Sequence, residues 1–353
     1  MKRKWVLTML TGIMLLSAAC SGGSGGSGSS DNGGSANGGG DKLPTFGAAI
    51  YRFDDTFMTG VRNSMKEVSA GVANIDIVDS QNSQPTQNEK VDLFLNKKYE
   101  ALIINPVDRT AATDFIRKAK EKDTPIVFIN REPVEADMQS WDKVYYVGAK
   151  AEESGTMSGQ IIADYWEANE SADKNGDGVL QYIMLSGEPG HQDAELRTTH
   201  SVKALEDAGI KVEKLASDFA NWDRVKGQEK MQAFLASHGD NIEAVLSNND
   251  DMALGAIEAL VAAGYLNGEE GKFVPVVGVD ATAPAIQAMK EGKMLGTVLN
   301  DAKGQGAAAV AIASALAKGE TPTSDNIGYD LVDDKYVWIE YKKITKDNIA
   351  EAE

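Results

Sequence analysis

The sequence predicts an α/β protein made of two doubly wound parallel-sheet lobes. Short apolar runs rich in Val and Ile alternate with amphipathic helical segments along the chain, which is the pattern of buried parallel strands covered by helices on both faces. The alternation occurs in two series, one ending near Gly148 and the other starting near Val179. About three hundred residues take part, which is long enough for two such units.

The individual elements follow from these apolar runs and periodicities. The predicted strands are Phe46–Tyr51, Ile75–Val78, Ala101–Ile104, Ile126–Ile129, Val144–Val147, Val179–Leu185, a strand around Val212, Ala244–Leu246, Val274–Val279 and Leu295–Leu299. The predicted helices include Met58–Ser69, Glu153–Trp166, Ala194–Ala208, Asp223–Ala236 and Met252–Ala263.

The N-terminus has the features of a secretory signal. Basic residues at positions 2–4 precede an apolar run, Trp5–Ala19, that is short for a membrane-spanning helix. The run ends in Leu16-Ser-Ala-Ala-Cys20, which is similar to a bacterial lipobox, and Cys20 is the only cysteine. Residues 1–20 are therefore predicted to be a lipoprotein signal peptide, with Cys20 lipidated and the protein held at the outer face of the cytoplasmic membrane. The alternative is a plain signal cleaved near Ala19 and a periplasmic protein.

The next segment, residues 21–42, is predicted to be a flexible tether. Ser21–Gly40 is almost entirely Gly, Ser, Asn and Ala, and such a composition cannot bury a core. The chain as a whole has a formal net charge of -18. A strongly acidic protein is unsuited to binding nucleic acid, so we expect no nucleic-acid partner.

One loop has the spacing of a calcium site. Oxygen-bearing side chains stand at alternate positions, and Gly178 allows a sharp turn, as in the first nine residues of an EF-hand loop. Position 12, where such a loop needs a bidentate carboxylate, is the apolar Met184. If the loop binds calcium, its last carboxylate must come from elsewhere in the chain. The candidate ligands within the loop are Asp173, Asn175, Asp177, Val179 by its carbonyl, and Gln181.

Polar and aromatic side chains follow almost every predicted strand. In open α/β sheets ligands bind at the carboxyl ends of strands. The chain contains neither G-x-G-x-x-G nor G-x-x-x-x-G-K-[ST], so these ends are not phosphate-binding loops of those types. Planar donors and acceptors combined with aromatic faces suit a neutral polyhydroxylated ligand such as a sugar.

Five of these segments together resemble the family of galactose/glucose-binding proteins of bacterial periplasms, which are substrate receptors of ABC sugar importers. The similarity extends from about Phe46 to the end of the chain. The segments that carry it are Tyr51–Phe57, Gly187–Thr199, Ser247–Asp250, Gly278–Ala281 and Thr297–Ala302.

The resemblance implies a hexose site. Phe57 and Trp222 would sandwich the sugar ring, and Asp55 would serve both epimers at C4, so that D-glucose and D-galactose are the implied ligands. The residues that would hydrogen-bond the sugar are Asp55, Asn130, His191, Asp193, Arg197, Asn249, Asp280 and Asn300.

The resemblance also implies a structural Ca2+ whose missing carboxylate is Glu243. It implies the type I periplasmic-binding-protein fold, in which a three-strand hinge joins the lobes through crossovers near 148–150, 300–302 and 329–334. The N-terminal lobe would comprise 43–149 and 301–331, and the C-terminal lobe 150–300 and 332–353. The expected protein is a monomer that closes on its sugar and is then read by the permease of an ABC transporter.

Other interpretations are available for single residues. Taken alone, His191 could be a surface residue, Trp222 a core residue, and Asn249 and Asn300 helix caps. Paired carboxylates such as Asp54/Asp55 or Asp280/Asp301 could belong to a glycosidase, but none has an obviously apolar setting, and we predict that the protein is not an enzyme. A repressor would need a basic DNA-binding N-terminus. A further role with a chemoreceptor or sensor protein stays open.

Overall fold

The computed structural model describes residues 42–269 and 271–352, of which 43–352 belong to one compact unit. The predicted signal peptide, Cys20 and nearly all of the predicted tether lie outside the described residues. The strands are β1 Thr45–Ile50, β2 Asn74–Asp79, β3 Ala101–Ile104, β4 Ile126–Ile129, β5 Val144–Gly148, β6 Val179–Ser186, β7 Lys211–Phe219, β8 Ala244–Ser247, β9 Val276–Val277, β10 Thr297–Leu299, β11 Tyr336–Trp338 and β12 Lys342–Ile344. The α-helices are α1 Thr56–Ser69, α2 Gln84–Asn96, α3 Ala112–Glu121, α4 Glu135–Met138, α5 Ala151–Ala168, α6 Gln192–Asp207, α7 Arg224–His238, α8 Asp250–Ala262, α9 Ala283–Lys290, α10 Ala302–Ala317 and α11 Ser324–Ile327.

The first lobe is built on a six-stranded parallel sheet. Its strand order is β11-β5-β4-β3-β1-β2. Ala48 of β1, the strand next to the edge strand β2, pairs with Ile77 of β2 on one side and with Ile103 of β3 on the other. One face of the sheet packs against α1 and α10, and the opposite face packs against α2 and α3. Because both faces are covered, the inner strands β3 and β4 are apolar throughout, whereas the edge strand β2 alternates apolar and polar residues.

The second lobe repeats this plan on a smaller sheet. Its four parallel strands have the order β7-β6-β8-β9. An antiparallel pair, β10 with β12, continues the sheet through isolated parallel bridges from Val277 to Gly296 and from Asp280 to Leu299. Helices α7, α8 and α9 cover one face, while α5 and α6 lie on the other. The predicted fold class, two parallel-sheet α/β lobes, is confirmed.

The chain passes between the lobes three times. The first passage follows β5, and the second lies between β10 and α10. The third differs from the expectation near 329–334, because β11 still pairs with β5 of the first sheet. The chain therefore enters the second lobe only between Trp338 and Lys342. Residues 336–338, expected in the C-terminal lobe, contribute an edge strand to the first sheet.

Most predicted boundaries lie within two residues of the observed ones. The strand that shortens most is Val274–Val279, which loses two residues at each end, so that only Val276 and Val277 form β9. Pro275 directly precedes it and has no backbone N–H to donate to a neighbouring strand. Among the described residues, no helix has both the length and the apolar character needed to cross a membrane.

Candidate functional site

A single cavity between the two lobes brings together all ten side chains predicted to contact a sugar. The space between these side chains is open to solvent on one side and amounts to about 370 Å³. The first lobe contributes Asp55, Phe57 and Asn130; the second lobe contributes His191, Asp193, Arg197, Trp222, Asn249 and Asp280; and Asn300 comes from the second passage between the lobes. Tyr51, Met58 and Arg131 complete the lining.

Three of these residues are held at the cavity because they cap helices. Asp55 Oδ1 accepts a hydrogen bond from Met58 N at 2.7 Å at the start of α1. Asn249 Oδ1 accepts one from Met252 N at 3.0 Å at the start of α8. His191 is the N-cap of α6 in the same way. Capping and ligand contact are therefore compatible for these residues, because each helix begins a few residues after the carboxyl end of a strand.

Asn300 is not a helix cap. Asp301 caps α10 instead, by accepting from Gly304 N at 2.9 Å. Asn300 donates from Nδ2 to Asp280 Oδ1 at 3.2 Å and accepts from Gln305 Nε2 at 2.8 Å. This chain of hydrogen bonds runs from α10 of the first lobe to a carboxylate of the second and fixes the orientation of the Asn300 amide.

Three cavity residues have a left-handed or otherwise positive φ. The values are 62° at Asn130, 61° at Trp222 and 120° at Asp280. Such conformations cost on the order of 1 kcal/mol or more in a residue other than glycine, and they cluster at functional sites. Trp222 is held against Gly187, since a Cβ on that glycine would lie 2.1 Å from the indole ring. Any larger residue at position 187 would displace the indole.

Arg197 is the most deeply buried cation of the cavity. Its side chain is 6% exposed, and the guanidinium lies 3.6 Å from Asp193 Oδ2. It also donates to the Asn248 carbonyl at 2.9 Å and to the Tyr341 hydroxyl at 3.0 Å. Its Nε is buried and has no partner among the described residues. A buried guanidinium N–H without an acceptor is unfavourable, so this atom is suited to donate to a ligand oxygen.

Two buried carboxyl groups of the cavity have raised pKa values. Burial raises the pKa of Asp193, and the nearby Arg197 opposes that rise. Burial also raises the pKa of Asp280 well above its ordinary value, again opposed by Arg197 and reinforced by Asp250 behind it. A ligand hydroxyl that donates to these oxygens would replace lost hydration without adding charge.

The imidazole of His191 is neutral in this setting. Burial, together with Arg131 and Arg197, lowers its pKa well below the ordinary value. Its Nδ1 accepts a hydrogen bond from Asp193 N at 3.1 Å, so Nε2 carries the proton and is a donor. The ring meets Trp222 edge-on, with centroids 5.0 Å apart and an interplanar angle of 74°.

Two residues of the lining, Tyr51 and Arg131, were not among the predicted ligands. Tyr51 directly follows β1 and Arg131 lies two residues beyond β4, so the strand-end rule could have selected both. The sequence alone did not indicate which side chains at these strand ends point into the cavity. Asp54, in contrast, points away into solvent, with a side chain 77% exposed beside Arg52.

The side chains of the loop at 173–181 lie close to one another and to Glu243. Asp173 accepts from the backbone N–H groups of Gly176 and Gly178, and Gln181 donates to Asp177 at 2.9 Å. Glu243, which is 1% exposed, accepts from the backbone of Lys174 at 2.7 Å and of Gln181 at 2.9 Å. No group of three or more His, Cys, Asp or Glu among the described residues has the arrangement of a metal site.

Comparison with known proteins identifies relatives over nearly the whole body of the chain. The family described as periplasmic binding protein domain matches residues 46–321. The chain is 41% identical to the D-galactose/methyl-galactoside binding periplasmic protein of Haemophilus influenzae, over 86% of this chain and 90% of that protein. It is 33% identical to a putative rhizopine-binding protein of Rhizobium meliloti, over 87% and 92%.

Solved structures agree with this result. The crystal structure of an ABC transporter solute binding protein from Bacillus halodurans with bound myo-inositol superimposes with a TM-score of 0.74. The two sequences are 32% identical, and the match covers 89% of this chain and 98% of that one. These relatives are substrate-binding proteins and not enzymes. This confirms the prediction that the chain is not an enzyme. The chain belongs to the periplasmic binding protein family, as a sugar-binding component of the ABC-transporter type.

Proposed function

We propose that the protein is the receptor of an ABC sugar importer, that it binds D-glucose and D-galactose between its lobes, and that it delivers the sugar to a membrane permease. The observation that carries the proposal is the single cavity lined by all ten side chains that the resemblance assigns to a hexose. The Haemophilus influenzae relative, whose name specifies galactose and methyl-galactoside, supports this choice of ligand.

The chemistry of the cavity supports a neutral ligand with many hydroxyl groups. Asp55, Asp193 and Asp280 are acceptors, and the unpaired Nε of Arg197 and the Nε2 of His191 are donors. Alternating donors and acceptors match hydroxyl groups, each of which donates once and accepts as well. Phe57 and Trp222 supply apolar faces for the C–H faces of a pyranose ring.

Closure of the two lobes would complete the site, since no lobe holds all ten residues. A sugar that contacts both lobes binds the closed form more tightly than the open form, and it shifts the population toward closure by that difference in affinity. The permease would then distinguish the closed receptor from the open one by shape. The proposal includes a second partner, a chemoreceptor or sensor protein, that would also recognise the closed form.

The test is a calorimetric titration of the chain from residue 21 onward with D-galactose and then D-glucose, in the presence of calcium. Binding of both hexoses at one site, without a reaction product, is the expected result. If neither hexose binds while myo-inositol, the ligand of the Bacillus halodurans relative, does, then the ligand assignment is wrong and the family assignment stands.

We also propose that the loop at 173–181 binds a structural calcium together with Glu243. The residues fit a hard cation because oxygen donors from both segments meet there. Burial raises the pKa of the Glu243 carboxyl, which lies near Asp173. A divalent cation would offset this concentration of negative charge and, by binding only the folded protein, raise its stability.

The variant Glu243→Gln tests the calcium proposal. It keeps the size of the side chain and removes the charge, so it should lower the melting temperature in calcium by several degrees and have a smaller effect in chelator. Glu258→Gln, at a half-exposed ion pair of the same lobe, is the control and should respond equally in both buffers. Equal losses for Glu243→Gln in the two buffers would contradict a role in metal binding.

We infer from the predicted signal peptide that the protein lies at the outer face of the cytoplasmic membrane. The Haemophilus influenzae relative is periplasmic by name, and the Leu16–Cys20 segment supports a lipid anchor at Cys20. Mass spectrometry of the protein purified from membranes tests this proposal. A diacylglyceryl mass on the N-terminal cysteine is expected, and an unmodified N-terminus near residue 20 would favour the plain signal peptide.

A further inference from the structure

A chain of contacts crosses the cavity from Glu188 in the second lobe to Asp55 in the first. Arg131 Nη2 lies 3.0 Å from Glu188 Oε2, and both side chains are largely buried, at 7% and 19% exposure. Arg131 follows β4, while Glu188 follows β6, so the pair joins the lobes. Opening the cleft would separate these two residues.

The same guanidinium covers the ring of Tyr51. Arg131 Cζ lies 4.0 Å from the centroid of the Tyr51 ring, within the range of a cation–π contact. Arg131 Nη1 donates to the Val107 carbonyl at 2.7 Å, which leaves Nη2 for Glu188. The position of the guanidinium over the tyrosine therefore depends on one contact within its own lobe and one contact across the cleft.

Tyr51 in turn fixes Asp55. The buried Tyr51 hydroxyl donates to Asp55 Oδ2 at 2.5 Å, and Met58 N donates to Oδ1. A carboxylate with one charge-assisted bond to each oxygen has a defined rotation. The remaining lone pairs of Asp55 then point in a fixed direction. A sugar hydroxyl that contacts them has to donate a hydrogen bond to the carboxylate.

We propose that Tyr51, Arg131 and Glu188 are positioning residues that couple closure of the lobes to the orientation of Asp55. When the lobes close, Glu188 holds Arg131 over Tyr51, and Tyr51 holds the carboxylate that contacts the sugar. This inference rests on the proposed function, since it concerns the same cavity. It adds a coupling between residues that the resemblance did not include.

The coupling predicts that effects of two substitutions will not multiply. Tyr51→Phe removes the hydroxyl that orients Asp55, and Glu188→Gln removes the charge that holds Arg131, so each should weaken D-galactose binding about tenfold. Once Arg131 is released, the Tyr51 hydroxyl has already lost part of its effect. The double variant should therefore lose clearly less than the roughly hundredfold that the product of the two single effects would give.

A second contact across the cleft provides the matched control. Gln192 Nε2 of the second lobe donates to Glu132 Oε2 of the first at 3.1 Å. Gln192→Ala also removes a contact that closure forms, but this contact does not involve the Tyr51 ring. Its effect on affinity should multiply with that of Tyr51→Phe.

The measurements are calorimetric affinities for the wild type, the three single variants and the two double variants. Multiplying effects for Tyr51→Phe with Glu188→Gln would overturn the proposal. Melting temperatures without sugar exclude a purely structural role: Glu188→Gln should leave them within about 2 °C of wild type, and a loss there proportional to the loss of affinity would overturn it as well. If the wild type binds no hexose, the proposed ligand is refuted, and the same cycle with myo-inositol decides the coupling.

Discussion

The two lobes contribute to the cavity in different ways. The first lobe supplies Asp55, Phe57 and Asn130, and its only buried cation at the lining is Arg131, which pairs across the cleft. The second lobe supplies six of the ten predicted ligands, including Arg197 with its free Nε. Arg197 and His191 of the second lobe are held by contacts within that lobe, whereas the proposed orientation of Asp55 in the first lobe depends on the contact of Arg131 with Glu188 across the cleft. We therefore expect substitutions in the second lobe to cost more affinity.

The largest effect should come from Arg197. Arg197→Met removes the buried donor and leaves the Asp193 carboxylate without its cation, so we expect D-galactose affinity to fall roughly a hundredfold to a thousandfold. Calorimetry measures the change. Arg224→Met is the control, because Arg224 pairs with Glu258 at a half-exposed position of the same lobe, outside the cavity lining. A loss of less than tenfold for Arg197→Met would contradict the proposed arrangement.

The aromatic pair tests the comparison directly. Trp222→Ala should weaken binding at least tenfold, since the large indole supplies most of the apolar face, and Phe57→Ala should cost less, about threefold to tenfold. Affinities are measured by calorimetry, and far-ultraviolet circular dichroism checks that both variants stay folded. An unchanged affinity for Trp222→Ala would refute the stacking role, and a larger effect at Phe57 would reverse the ranking of the lobes.

The smallest expected effect concerns the free energy of unfolding and the carboxyl group of Asp250, which lies behind Asp280 in the second lobe. Burial raises the pKa of Asp250 to about 7, above its value in the unfolded chain. Between about pH 4 and pH 7 the unfolded chain therefore binds fewer protons than the folded one, and this residue makes stability fall as pH rises. Asp250→Asn should remove that slope and gain roughly 1–2 kcal/mol relative to wild type by pH 7.

Urea unfolding at pH 4.5 and pH 7.5 measures this difference. The amide can still accept from Thr282 N and donate to Thr297, which now bond the two carboxyl oxygens. Asp207→Asn, at an exposed ion pair with Lys203 in the same lobe, is the control. A variant whose stability runs parallel to wild type at both pH values would show that Asp250 does not titrate in this window.

Much of the fold could be predicted from the sequence because the parallel strands are buried on both faces. Ala101–Ile104 and Ile126–Ile129 were predicted with the observed bounds, since continuous apolar runs flanked by polar residues leave little freedom. The end of the chain was harder. β11 and β12 have only three residues each, and which sheet such a short strand joins depends on tertiary pairing.

The site was predicted from strand ends and from a resemblance, and each contributed differently. Strand ends indicated where ligands bind, while the resemblance selected residues such as Asn249 and Asn300. Neither revealed Tyr51 or the bond between Arg131 and Glu188, because a contact between segments 57 residues apart depends on the relative position of the lobes. The calcium ligands stay a prediction.

An odd number of passages between the lobes has a practical consequence. The described chain begins with β1 in the first sheet and ends after β12 beside the second, so its two ends belong to different rigid parts. A motion that closes the cleft therefore changes the separation of the ends. A fluorescent donor and acceptor fused at the two ends would report sugar binding as a change in energy transfer, with no label inside the cavity.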